Sequence, residues 1–116
     1  MTDILSILWD STDELHKRFD LFPPNPEATL PVFQEEVKEF AAEATAPGSD
    51  YYDLAVCREA ADVMVTILAT LSGLGITREQ FTAACQHVAM KNNAKTWDTH
   101  FINPETGKIQ RKEKQS

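Results

Sequence analysis

The segment Leu54 to Leu74, LAVCREAADVMVTILATLSGL, limits most what this chain can fold into. At helical spacing Leu54, Cys57, Ala61, Val65 and Leu68 make one face, yet Val63, Ile67 and Thr70 populate the others. A helix that is apolar nearly all round must be covered on several sides. Its longest uncharged run, Val63 to Ile76, is too short to cross a bilayer as a helix. The cover must therefore come from protein, which predicts a central helix over about Tyr51 to Leu74 with other helices against it.

Three further helical patterns surround it. The first runs from about Asp3 to Asp20 and carries Leu5, Leu8, Thr12, Leu15 and Phe19 on one face. The prolines of FPPNPE end it, because they remove donors and force extended backbone. The second is expected from Thr29 as N-cap, with Pro31 in its first turn and an apolar stripe of Phe33, Val37, Phe40, Ala41 and Ala44, up to the breaker APGSD. SGLGIT then separates the central helix from a fourth, Thr77 to Thr96, where Thr77 and Gln80 fit a capping box. The tail INPETGKIQRKEKQS has turn residues and a basic cluster and is expected to be a small hairpin or irregular.

These patterns predict an all-α fold: a four-helix bundle in one domain spanning residues 1–116, with a C-terminal tail from about residue 98. A helix too apolar for its own surroundings usually finds the rest of its cover in a second copy, so a homodimer or homotetramer is expected.

Composition excludes several classes of function. A formal charge of −7 argues against coating nucleic acid, which needs a basic face to displace counterions. An acidic chain that acts on phosphates needs metal cations instead. Cys57 and Cys85 have no zinc spacing and are expected as reduced core residues. MTDILSILWD shows no basic stretch, apolar run and small-residue cleavage site in series, so no signal peptide is expected. With no membrane span either, a cytoplasmic location is the expectation.

The acidic residues carry the chemistry. In QEEVKEF, Glu36 and Glu39 stand at i, i+3 and Glu35 and Glu39 at i, i+4, with Glu36 beside the apolar stripe at the rim of the buried face. In REAADVM, Glu59 and Asp62 repeat the i, i+3 relation, and Asp62 is the only charged residue between Glu59 and Arg78. Taken singly, EEVKE reads as a solvated helix face and REAAD as an Arg58–Asp62 surface pair. Together on consecutive helices they suggest convergence. Crowding and desolvation both raise carboxylate pKa values, and a hard divalent cation removes both penalties. Magnesium, which takes oxygen ligands and keeps waters, suits such a set. A di-iron bundle would need Glu-x-x-His, whereas Glu59 is followed at that spacing by Asp62, and His16, His87 and His100 fit no such pattern.

EEVKE followed by EAAD resembles the EExxE…ExxD signature of the all-α nucleoside triphosphate pyrophosphatases: the MazG-like proteins, the dimeric dUTPases and the phosphoribosyl-ATP pyrophosphohydrolases. The likeness in helical layout covers roughly Asp3 to Lys112. It implies that Glu36, Glu39, Glu59 and Asp62 ligate magnesium, with manganese able to substitute, and that Glu35 orients or deprotonates the attacking water. The implied reaction cleaves a nucleoside triphosphate between its α and β phosphates, releasing a monophosphate and pyrophosphate, as in nucleotide-pool house-cleaning. The phosphoribosyl-ATP variant fits less well, because no basic cluster for a second phosphorylated sugar accompanies the acidic helices. A catalytically inactive helical interaction module is the alternative from another class.

The fourth helix gives a partly independent indication. Its stripe of Phe81, Cys85 and Val88 continues by spacing to Asn92 and Lys95, so something polar is expected beneath them, unless the helix end simply emerges into solvent. KNNAK also resembles the NxxK of phage-type and integron-type relatives, which implies that Lys95 meets phosphates and Asn92 the sugar or base, with Lys91 adding to them. Lys108, Arg111 and Lys112 in the tail could fold over the triphosphate of their own or a neighbouring subunit. Trp9, His16 and Phe19 could line a base pocket, since aromatic faces stack on bases, although core packing is the simpler reading of Phe19.

Overall fold

Asp3 caps the first helix, α1 (Ile4–Arg18), by accepting hydrogen bonds from the backbone N–H groups of Leu5 and Ser6 at 3.1 and 3.3 Å. The computed structural model describes residues 3–46 and 52–113. At the other end of α1, Lys17 and Arg18 place positive charge where the helix dipole favours it. Asp20 follows with φ of 59°, while Leu21 N–H donates to the His16 carbonyl at 2.7 Å and Asp20 N–H to that of Lys17 at 3.2 Å. Those two bonds form a Schellman motif with Asp in the left-handed position that glycine usually takes.

The second helix, α2 (Pro26–Ala44), begins earlier than the Thr29 cap expected from sequence. Asn25 is the cap, accepting from Glu27 N–H at 3.0 Å, and Pro26 occupies the first helical position, where its missing N–H costs nothing. Pro31 is thereby inside the helix. Thr29 is free to do something else: its hydroxyl lies 2.7 Å from that of Thr70, across to the next helix. Of the expected breaker APGSD, residues 47–50 lie outside the described residues, as does Tyr51.

The central helix is α3 (Tyr52–Gly73), with both α2 and α1 packed on it. It runs antiparallel to α2, since Thr29 meets Thr70 at one end of the pair while Glu36 meets Glu59 and Asp62 further along. Gly73 is demanded by contact: a Cβ there would overlap the carbonyl oxygen of Pro24. The α1–α2 connection is thus pressed against the end of α3. Leu74, Gly75 (φ 79°) and Ile76 close α3 with a second Schellman motif, Gly75 N–H to Ser72 and Ile76 N–H to Leu71, both 3.0 Å.

The fourth helix, α4 (Arg78–Asn93), starts on the expected capping box. Thr77 N–H donates to Gln80 Oε1 at 2.8 Å and Gln80 N–H to Thr77 Oγ1 at 3.1 Å. It ends at Asn93, short of the expected Thr96. The tail takes the hairpin alternative: β1 (His100–Ile102) pairs antiparallel with β2 (Ile109–Arg111), His100 opposite Arg111. Asn103 organises the turn, accepting from Glu105 N–H at 2.9 Å through its side chain.

Contacts divide the chain into two compact units, residues 1–80 and 81–116. In the first, the buried residues among those described are Trp9, Thr12, Pro24, Thr29, Thr66, Leu68 and Ala69. The burial differs from the expected stripes. Leu15 on α1, Phe19 at its C-cap, Val37 on α2 and Leu54 on α3 are exposed, and so are both cysteines, which are free thiols and not core residues. Among the described residues, no helix is long and apolar enough to cross a membrane.

Candidate metal centre

Antiparallel packing of α2 on α3 carries Glu36 to Glu59 and Asp62. One carboxylate oxygen from each of the three lies within 4.8 Å of the other two. Glu36 and Glu59 are half-buried, and the Oε2 atom of each is fully buried without a hydrogen-bond partner. Asp62 is exposed at the edge of the group. Among the described residues no cation pairs with these charges, the ion pairs there being Lys17–Glu14 and Arg78–Asp10. The Arg58–Asp62 surface pair that sequence spacing allowed is not formed.

The electrostatics follow from this arrangement. The Glu36 carboxyl is pushed above the ordinary glutamate value, first by burial, then by the charge and hydrogen bond of Glu39, then by Asp62 and Glu59. Glu59 is raised by burial, then by Glu39, Asp62 and Glu43. An oxygen atom sealed from water with neither donor nor cation costs free energy. Two carboxylates that each carry such an atom, grouped with a third, fit a hard divalent cation with oxygen ligands.

Other expected residues fall differently. Glu39 stands close enough to Glu36 and Glu59 to act on both, but outside the group of three. Glu35, one residue and about 100° around the helix from Glu36, is exposed and also outside it. Glu43, half-buried, was not singled out from sequence, although its i, i+4 spacing from Glu39 was a readable signal.

One helical turn from the carboxylates is a cavity of about 500 Å³ in the same unit, with Val32, Thr29, Val65, Thr66 and Ala69 in its wall. Val32 is four residues before Glu36 on α2, and Thr66 four after Asp62 on α3, each about 6 Å along its helix axis. Cavity and carboxylates therefore share one seam. His16 lines the same cavity, its Nδ1 2.7 Å from the Thr12 carbonyl. Trp9 and Phe19, expected beside it, do not: Trp9 is buried elsewhere and Phe19 is exposed. The loop contributes Asp20, Phe22 and Asn25, which periodicity had no means of placing there. Lys17 Nζ stands 4.9 Å over the Phe22 ring.

The remaining candidates belong to the second unit. Lys91 and Asn92 are in the last turn of α4 and Lys95 just beyond it, with Lys95 Nζ donating to Asn92 Oδ1 at 2.9 Å. Lys108 is in the hairpin turn and Arg111 on β2, both exposed. Compared with models of protein families, with curated proteins and with solved structures, the chain matches none significantly.

Proposed function

We propose that the chain is a magnesium-dependent nucleoside triphosphate pyrophosphohydrolase, converting a (d)NTP to the monophosphate and pyrophosphate. The observation that carries this reading is the convergence of Glu36, Glu59 and Asp62 within 4.8 Å, two of them with buried, unpartnered oxygens and none in an ion pair among the described residues. Glu36, Glu59 and Asp62 would hold the ion, with Glu39 beside them as a fourth ligand or as a partner to ligating waters. Bound there, a divalent ion supplies charge neutralisation for the phosphates and a more acidic water. Glu35, exposed next to Glu36, takes the role that the resemblance assigns it, orienting or deprotonating the nucleophile. The adjoining cavity of about 500 Å³ is of a size that suits a nucleoside, with His16 in its wall. Nucleotide-pool house-cleaning in the cytoplasm is the setting this chemistry suits.

Assembly belongs to the same reading. A unit that fully buries so few apolar side chains, while Ile4, Ile7, Leu30, Leu54 and Met64 remain in solvent, is completed by further copies as a homodimer or homotetramer. The same exposed side chains favour the second reading, an interaction module that no longer turns over substrate.

Incubation with each NTP and dNTP in magnesium, followed by separation of products, tests the activity. Monophosphate with pyrophosphate is expected; orthophosphate alone, or no product from any nucleotide, overturns it. Asp62→Asn should lower turnover at least ~100-fold by removing a ligand of the ion. If the module reading holds instead, magnesium leaves the melting temperature of both forms unchanged.

A further inference from the structure

The seam between α2 and α3 is fastened by hydroxyl groups two turns away from the carboxylates. Thr70 Oγ1 donates to the Thr66 carbonyl at 2.8 Å and lies 2.7 Å from Thr29 Oγ1. A hydroxyl has one proton to give. With that of Thr70 directed along its own helix, the bond across the seam is donated by Thr29. The opposite polarity would turn the Thr70 proton away from Thr66 and leave Thr29 only the Pro26 carbonyl at 3.4 Å, a poorer bond than the one given up. Thr29 is buried, so water does not compete for its hydroxyl. Among the described residues, the Thr29–Thr70 pair is the side-chain hydrogen bond that joins α2 to α3. Apolar burial is non-directional and sets no distance along a helix axis; a hydrogen bond does.

The position of this bond relates it to the acidic group. Thr29 stands seven residues before Glu36 on α2, and Thr70 eight residues after Asp62 on α3. With equal rise along two antiparallel helices, fixing Thr29 against Thr70 brings Glu36 level with Asp62 to within one residue, and to about one turn from Glu59. A slip of one turn would displace α2 by about 5.4 Å. That is more than the 4.8 Å within which the three carboxylate oxygens lie. We propose that Thr29 and Thr70 are positioning residues for the acidic centre, their hydroxyl bond setting the register at which Glu36 meets Glu59 and Asp62. The inference rests on the metal-binding reading of that centre and adds to it what holds the ligands together. Either hydroxyl can be removed without orphaning the other, because Thr70 keeps the Thr66 carbonyl and Thr29 keeps that of Pro26. The variants therefore lose the cross-helix bond with little other cost.

Isothermal titration calorimetry of the full chain with magnesium alone tests it, with circular dichroism to establish that each variant is folded. Thr29→Val and Thr70→Val should each weaken magnesium binding about 10-fold, the scale on which support behind metal ligands acts. The double variant should lose no more than either single one, since both remove the same bond. Thr29→Ser, which keeps the donor, should bind magnesium as the unaltered chain does. Thr12→Val is the control: it removes another buried hydroxyl, bonded at 2.7 Å to the Leu8 carbonyl within α1, and should leave magnesium affinity unchanged. Unaltered affinity in Thr29→Val or Thr70→Val, an equal loss in Thr12→Val, or a loss in Thr29→Ser as large as in Thr29→Val overturns the positioning role while leaving the metal centre standing. No magnesium binding by the unaltered chain overturns both.

Discussion

Glu36 and Glu59 are the residues whose ordinary behaviour is most altered. Both carboxyls titrate above the unfolded glutamate value, so between about pH 4.3 and their raised folded values the native chain holds protons that the unfolded chain has released. Their contribution to the stability of the metal-free chain is therefore fully present below that window and is lost as pH rises through it. Thermal melts in EDTA across pH 4 to 7 should show the decline. Glu36→Gln should flatten it and raise the melting temperature at pH 7, because an amide removes one of the crowded charges. Magnesium should reverse the trend: at ~100 times its Kd a ligand of the native state contributes about 2.7 kcal/mol. A pH-independent melting temperature, insensitive to magnesium, would remove the electrostatic basis of the site.

At the scale of elements, the acidic seam depends on how α3 is stopped and how the α1–α2 connection is fastened to its end. Gly75 has φ of 79°, and a methyl group there would have nothing within 4 Å, so Gly75→Ala meets backbone strain alone, about 1 to 2 kcal/mol. Gly73→Ala has the opposite character: its backbone is helical, but the new methyl would press on the Pro24 carbonyl and Pro26 Cδ. Overpacking costs about 1 to 3 kcal/mol and should exceed the helix-propensity gain of about 1 kcal/mol. Denaturant titration should find both variants destabilised. Only Gly73→Ala should also disturb the neighbouring cavity, through Pro24, which lines it. Asn25→Ala, which removes the α2 cap, should cost about 0.5 to 2 kcal/mol by the same measurement.

At the scale of the molecule, exposed apolar side chains on α1, α2 and α3 set the expectation. Ile4 is 71 % exposed and Leu54 49 %, values that suit a surface awaiting a partner. If copies complete the fold, sedimentation should give at least a dimer, and the melting temperature should rise with protein concentration. A monomer with a concentration-independent melting temperature would confine the apolar surface to some other partner.

Local chemistry was legible in the residues themselves. The Thr77–Gln80 capping box, the all-round apolar central helix, the stop at Gly75 and the hairpin alternative for the tail each depend on contacts within a few positions, which spacing and residue type determine. So does the i, i+3 pairing of Glu36 with Glu39 and of Glu59 with Asp62. The start of α2 was misread because Thr29 and Asn25 are both competent caps, and the choice fell to Pro26, already shaped for the first helical position. What tertiary structure decided is which carboxylates meet and which apolar faces stay uncovered. The register of α2 against α3 brings Glu36, but neither Glu35 nor Glu39, into the group with Glu59 and Asp62, and it leaves Leu54 and Val37 in solvent. Periodicity assigns a side chain to a face of its own helix; how far two helices slide along each other is set by packing between residues distant in sequence, such as Thr29 on Thr70 and Pro24 against Gly73.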